Sequence, residues 1–334
     1  MTRYPGIFSA VRAGASRWLI AALLASLSVM AGAQPATFPT KPMRFIIDFP
    51  AGGVSDILAR LVGERMAESL GRPLIYDNRA GASGLIAYEL ASKAAGDGYT
   101  LLFISTPFAF HMNLRAKLPY DTEKDFTPVA LFAQFPNVLL VSAKSSITSA
   151  KEFIDAARTR PGGFNYGSLG IGSPQHLTME LFRTLNKFNA THVPYTGSPQ
   201  ALTGLISGET DVMFGNVPGA LGQVRAGKVR GLAMASARRS SALPDVPTFR
   251  EQGLAFEAVG FGGLAVPSGT PAAIVTRLNA DAVKALNNPD TAERIRNAGG
   301  EPLPGSPEAF RNFLRDEIAR WGPVIKQSGA KAEG

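Results

Sequence analysis

Short apolar runs rich in β-branched and aromatic residues take turns along this chain with longer segments of helical character. That alternation restricts the fold more than any other feature. Met43–Phe49 reads as a strand, Ser55–Leu70 as a helix, Pro73–Asp77 as a strand, Ser83–Ala95 as a helix and Tyr99–Ser105 as a strand. Such a sequence implies crossover units, with helices covering both faces of a mostly parallel sheet. Val129–Phe132 and Val138–Ser142 are two further apolar runs, and a break is expected between them at Pro136-Asn137.

The pattern restarts after a helix predicted over Ser149–Arg160, which Pro161-Gly162-Gly163 ends. Strands are expected at Phe164–Ser168, Thr191–Tyr195, Asp211–Phe214 and Val229–Ala235, with helices near Pro174–Leu185, Pro199–Ser207 and Pro218–Ala226. The tail reads as three helices, Pro271–Leu286, Pro289–Asn297 and Pro307–Lys326. Each opens on a proline, whose missing N–H is no loss in a first turn. Asn287-Asn288 and Gly299-Gly300 supply stops. Two successive sheet blocks and a returning helical tail predict two lobes joined by more than one chain crossing, near Asn137 and Gly260. Residues 34–137 and 260–334 would form one lobe, and residues 138–259 the other.

The first 33 residues read as an export signal. Arg3, Arg12 and Arg17 give a basic start, Trp18–Met30 is a 13-residue apolar run, and Ala31-Gly32-Ala33 places small residues before a cleavage point at Gln34. The run is short of the roughly 20 residues that a spanning helix needs. The expected mature chain of 301 residues (334 − 33) has room for two cores. It has no cysteine, which removes disulfides, thiol nucleophiles and a lipid-bearing cysteine, and suits a periplasmic location. The formal charge of +8 becomes +5 without the three signal arginines. The remaining cations are scattered, so nucleic acid is not an expected partner. The surplus either steers anions or is simply a solvated surface.

In open parallel sheets, ligands sit beyond the carboxyl ends of strands, against helix N-termini. Two loops stand in that place. Pro50-Ala51-Gly52-Gly53-Val54-Ser55-Asp56 follows the first strand, and its glycines let main-chain N–H groups approach a ligand carboxylate at the helix tip. Asp56 fits the role of stabilising the helix start better than that of ligand contact. Ser168-Leu169-Gly170-Ile171-Gly172-Ser173-Pro174-Gln175-His176 repeats the logic, with His176 in the first helical turn. Either loop alone also suits a plain strand-to-helix turn; together they offer an anion seat at each side of a cleft. Thr106, Tyr195 and Asn216 lie at or beside other strand ends, and Phe49 and Tyr195 are candidates for apolar walls.

Enzyme signatures are weak. Gly81-Ala82-Ser83-Gly84 has the wrong spacing for a nucleophile elbow, Gly170-Ile171-Gly172 lacks the third glycine of a dinucleotide loop, and His111, His176 and His192 show no metal-ligand spacing. No catalytic residue, metal or cofactor is expected.

The chain resembles the extracytoplasmic solute receptors of tripartite tricarboxylate transporters, the Bug receptors. The resemblance runs through PAGGVSDILAR (50–60), DNRAGASG (77–84), GDGYTLL (96–102), LPYDTEKDFTPVAL (118–131), NYGSLGIGSPQHL (165–177), HVPYTGSPQAL (192–202), SGETDVMF (207–214), LPDVPTFREQGL (243–254) and GLAVPSGTP (263–271). It implies an α/β, two-lobed periplasmic binding protein of the Venus-flytrap, type II-like kind, acting as a monomer. Each lobe would be a mixed, mostly parallel sheet flanked by helices. It also implies one large and one small integral membrane subunit as partners, or else a sensor kinase that reads closure of the same cleft. An exported hydrolase is the remaining, weaker alternative. The implied ligand is a small carboxylate: a di- or tricarboxylate, an acidic amino acid or an aromatic acid. Carried onto this sequence, its holders are Ala51, Gly52, Gly53 and Ser55 on one side, and Ser168, Gly170, Gly172, Ser173 and His176 on the other. Three places depart from the family pattern. Asp48 stands where an uncharged residue is usual, Phe261 replaces a tryptophan, and Phe108–Asn113 is bulkier than expected, which predicts a shallower or more aromatic pocket.

Overall fold

A computed structural model describes residues 38–331. The expected signal peptide and its cleavage point lie outside them. From Pro42 onward the chain forms one unit, and all that follows concerns it. Strands β1 (Met43–Ile47), β2 (Leu74–Asn78) and β3 (Thr100–Ser105) pair in parallel, with helices α1 (Val54–Leu70) and α2 (Leu85–Ser92) between them. Helix α3 (Thr106–Leu114) leaves β3 directly. Then comes β4 (Phe126–Ser142), α4 (Ala150–Thr159), β5 (Phe164–Ser168), α5 (Pro174–Asn186), β6 (Ala190–Pro194), α6 (Ser198–Ser207), β7 (Val212–Asn216), α7 (Val217–Arg225) and β8 (Val229–Met234). The chain closes with β9 (Val259–Pro267), α8 (Ala272–Leu286), α9 (Pro289–Asn297), the short β10 (Glu301–Pro302) and α10 (Pro307–Ser328). Among the described residues no helix is long and apolar enough to cross a membrane.

The strand order is β2-β1-β3-β9-β4-β7-β5-β6, with β8 and β10 also on β4. The parallel pairs are those the alternation predicts, whereas β9 and β4 run antiparallel to their neighbours. The expected break at Pro136-Asn137 does not occur, because β4 continues through both residues for 17 positions. Pro136 is the last residue to pair with β9 and Asn137 the first to pair with β7, so the proline falls where the strand changes partners and its missing N–H matters least.

Strand β9 itself was hidden by composition. Its glycines weaken any strand signal, yet they serve packing: a Cβ on Gly262 would sit 2.4 Å from the Phe103 ring, and one on Gly263 would sit 2.6 Å from the Phe310 ring and 2.7 Å from the Ala130 carbonyl oxygen. Gly263→Ala is therefore expected to destabilise the fold by about 1–3 kcal/mol through overpacking, read as a lower urea midpoint; an unchanged midpoint would show that the sheet gives way freely there. Helix α3 was also unforeseen, being buried nearly all round, with no polar face to set a period. Phe108 and Phe110 are in the core, not in a pocket: Phe108 meets Tyr88 and Phe126 edge-on, and Phe110 packs on Trp321 of α10. The β7-β5-β6 end of the sheet is backed by a cluster in which Phe182 touches Phe153, Phe188, Phe214, Phe249 and Phe256. Losing a ring so enclosed costs about 3–5 kcal/mol.

Candidate functional site

The loop after β1 is fastened from within. Asp56 accepts hydrogen bonds from the Gly52 N–H (2.9 Å), Asn78 Nδ2 (3.0 Å) and Arg60 Nε (2.9 Å), while Asn78 Nδ2 also donates to the Phe49 carbonyl. Burial raises the Asp56 pKa, but these donors outweigh it and hold the carboxyl below its usual range. Gly52 takes φ +80°, open to glycine and strained for other residues, and the Gly53 N–H turns back to the Pro50 oxygen. The amides of Gly52 and Gly53 are thus spent inside the loop. What the loop presents outward is the tip of α1.

Three more helix tips meet it. Ser105 ends β3 and caps α3, Ser173 caps α5 with its Oγ accepting the His176 N–H, and Asn216 ends β7 and caps α7 with its Oδ1 accepting the Gly219 N–H. The four capping residues, Gly53, Ser105, Ser173 and Asn216, all line one cavity of about 340 Å³. First-turn N–H groups have no acceptor in their own helix, and each tip carries roughly half a positive charge. Phe49, Phe103, Phe135 and Phe261 supply apolar walls, while Ser55, Ser83, Thr106, Asn137 and Gln175 add polar groups. No Lys, Arg or His is among the lining residues. The Gln175 side chain is 5 % exposed and its Oε1 has no partner. Thr106 Oγ1 accepts the Phe261 N–H (2.9 Å), and Asn137 Nδ2 donates to the Ala258 carbonyl (3.0 Å), so both also stitch the wall together.

Asp48 lies behind this wall, completely buried. Its Oδ2 accepts from Tyr88 OH (2.6 Å) and Ser105 Oγ (2.5 Å), and its Oδ1 has no hydrogen bond. Burial pushes its pKa up to about 6, although the hydroxyls of Ser105 and Tyr88 pull it partly back.

Of the residues singled out by sequence, Phe49, Gly53, Ser55, Thr106, Ser173 and Asn216 line the cavity; Ala51, Gly52, Ser168, Gly170, Gly172, His176 and Tyr195 do not. The second group builds the support. Ser168 is fully buried, with Oγ 2.5 Å from His192 Nε2 and accepting the Gly170 N–H (3.1 Å). His176 Nδ1 accepts the Gly172 N–H (3.2 Å), and the two imidazoles pack together over Tyr166. Tyr195 packs on Gly204 and Gly167. Ser168 is thus tied into the wall beside a partly buried His192, and neither residue lines the cavity. Gln175 was within reach of sequence reasoning, since it follows the Ser-Pro helix start. Phe135, Asn137 and Gly260 were not, because they come from the two antiparallel strands that join the blocks; Phe261, on the same strand as Gly260, stood out only as a departure from the family pattern.

Burial depresses all three histidines, His111 and His192 to about 4, helped by Arg115 and His176 respectively, and His176 in the same direction. Only the unfolded chain then takes up these protons near pH 6.5, so their stabilising contribution is whole above that pH and is lost as pH falls toward 4. The two large histidine shifts outweigh the opposite trend of the raised carboxyl, Asp48. The melting temperature is therefore expected to drop across this window, and a flat profile from pH 6.5 to 4 would contradict the burial argument.

A cavity at strand ends, walled by rings and ringed by helix tips, is the kind of place where α/β sheets seat small ligands. The chain belongs to the tripartite tricarboxylate transporter family of receptors, whose profile matches residues 58–330. It is 34% identical over 316 residues to Protein BugT from Bordetella pertussis, covering 94% of this chain and 97% of that one. Two solved structures are similar along their whole length. MatC from Rhodopseudomonas palustris, with bound malate, is 33% identical at a TM-score of 0.73, covering 86% of this chain and 100% of its own. R. palustris Rpa4515 with adipate is 35% identical at 0.79, covering 88% and 99%. The fold is that of the periplasmic binding proteins.

Proposed function

We propose that this chain is a periplasmic receptor that captures a small organic acid in this cavity, without chemical turnover, and delivers it to the large and small membrane subunits of a tripartite transporter. Residues 34–137 with 260–334 and residues 138–259 act as two lobes that close over the ligand. The observation that carries this reading is the convergence of four helix N-termini on one cavity lined by no cationic side chain. A carboxylate seated there is balanced by peptide N–H groups and partial charges, each tip giving about 0.3–1 kcal/mol and more where water is excluded. The aromatic walls take up the carbon skeleton. The malate and adipate held by MatC and Rpa4515 agree with such a ligand.

A thermal-shift screen of the mature chain against organic acids, sugars and amines tests it. At a hundred times Kd the cognate acid adds about 2.7 kcal/mol, or a rise of roughly 5 °C for a chain of this size. Stabilisation by sugars or amines alone would overturn the reading.

A further inference from the structure

We propose that Asp48 turns the β1–β3 side of the cavity into a hydrogen-bond-accepting subsite, so that the preferred ligand is a monocarboxylate with a donor, ammonium or hydroxyl, at its far end. The proposal rests on the carboxylate reading above and narrows it. Asp48 is wholly buried, makes no ion pair and leaves Oδ1 without a partner. A buried carboxylate with no cation beside it is a standing penalty, and one that an arriving positive or donating group relieves. Its hydrogen bonds also fix the polarity of the wall. Ser105 lines the cavity but spends its only hydrogen on Asp48 Oδ2, so its oxygen offers a ligand lone pairs alone.

The charges lead to the same end. One full negative charge beside the tips of α1 and α3 offsets their two half charges. The tips of α5 and α7 follow β5 and β7, which lie beyond β9 and β4 from β3 in the strand order, and these tips remain to seat one carboxylate. A second carboxylate at the Ser105 end would face acceptors. Asp48 thus acts as a positioning residue through Ser105 and as a specificity residue through its charge.

Matched probes separate the terms: glutarate, 4-aminobutyrate and 4-hydroxybutyrate; adipate, 6-aminohexanoate and 6-hydroxyhexanoate; terephthalate, 4-(aminomethyl)benzoate and 4-(hydroxymethyl)benzoate. Calorimetric titration of the mature chain is expected to show, in any set that binds, the donor-bearing acid at least tenfold tighter than the dicarboxylate. Asp48→Asn, which removes the charge and leaves Ser105 an acceptor, should shrink that preference about tenfold. Tighter binding of the dicarboxylate by the unmodified chain, or a preference unchanged in Asp48→Asn, overturns this inference and leaves the carboxylate reading standing. Failure of every acid overturns both. Should Asp48→Asn not fold, Ser105→Ala replaces it: loss of most of the donor preference supports the proposal, and full retention overturns it.

Discussion

Replacing Ser173 with aspartate is expected to leave the protein folded and to abolish its capture of organic anions. Serine and aspartate cap helices equally well, and a fixed negative charge at the tip of α5 adds about 0.3–1 kcal/mol to the helix. The Ser173 hydroxyl already accepts the His176 N–H, a role a carboxylate oxygen takes over without rebuilding. Yet Ser173 lines the cavity, and its new charge would occupy the seat meant for the ligand. Two like charges about 5 Å apart repel by about 3 kcal/mol at an effective dielectric of 20, which is more than a hundredfold in affinity. Calorimetry with any acid that the unmodified chain binds, alongside a melting curve, reads both halves of this expectation. Retained affinity would remove the α5 tip from the site.

Asp48→Asn is expected to make the ligand-free protein more stable at neutral pH. With its folded pKa near 6 against an ordinary 3.8, the carboxyl holds its proton more tightly when folded. Stability therefore declines as pH rises from about 4 to 6, and the deficit stays constant above that. Two pKa units correspond to about 3 kcal/mol. Asparagine keeps an acceptor for Tyr88 and Ser105 and carries no charge, so it removes up to that amount. The gain should appear in urea unfolding at pH 7–8 and vanish below pH 4. A variant less stable than the parent at pH 8 would mean that the fold relies on the charge.

Sequence periodicity revealed the parallel strand–helix units well, because each of those strands is a short run bounded by turn residues. The joining strands were hidden for physical reasons. In β4 Pro136 imitates a break, and in β9 Gly262 and Gly263 make room for aromatic rings. At the site, strand ends and helix starts identified Phe49, Gly53, Ser55, Thr106, Ser173 and Asn216 as lining residues. The reading placed donors on Gly52, Gly170 and Gly172, whose amides instead bond Asp56, Ser168 and His176. Glycine marked a tight turn correctly, but not who would receive its N–H. Asp48 stood out as unusual by resemblance. Its burial, and its bond to Ser105 from a strand 57 residues away in sequence, are visible only in three dimensions.

Strand β4 belongs to both sheets, and this bears on any attempt to divide the molecule. A fragment beginning at residue 143 would leave β7 and β8 without the strand between them. Bare edges of that kind recruit other chains. Separately expressed halves should therefore clump unless each carries its own copy of β4.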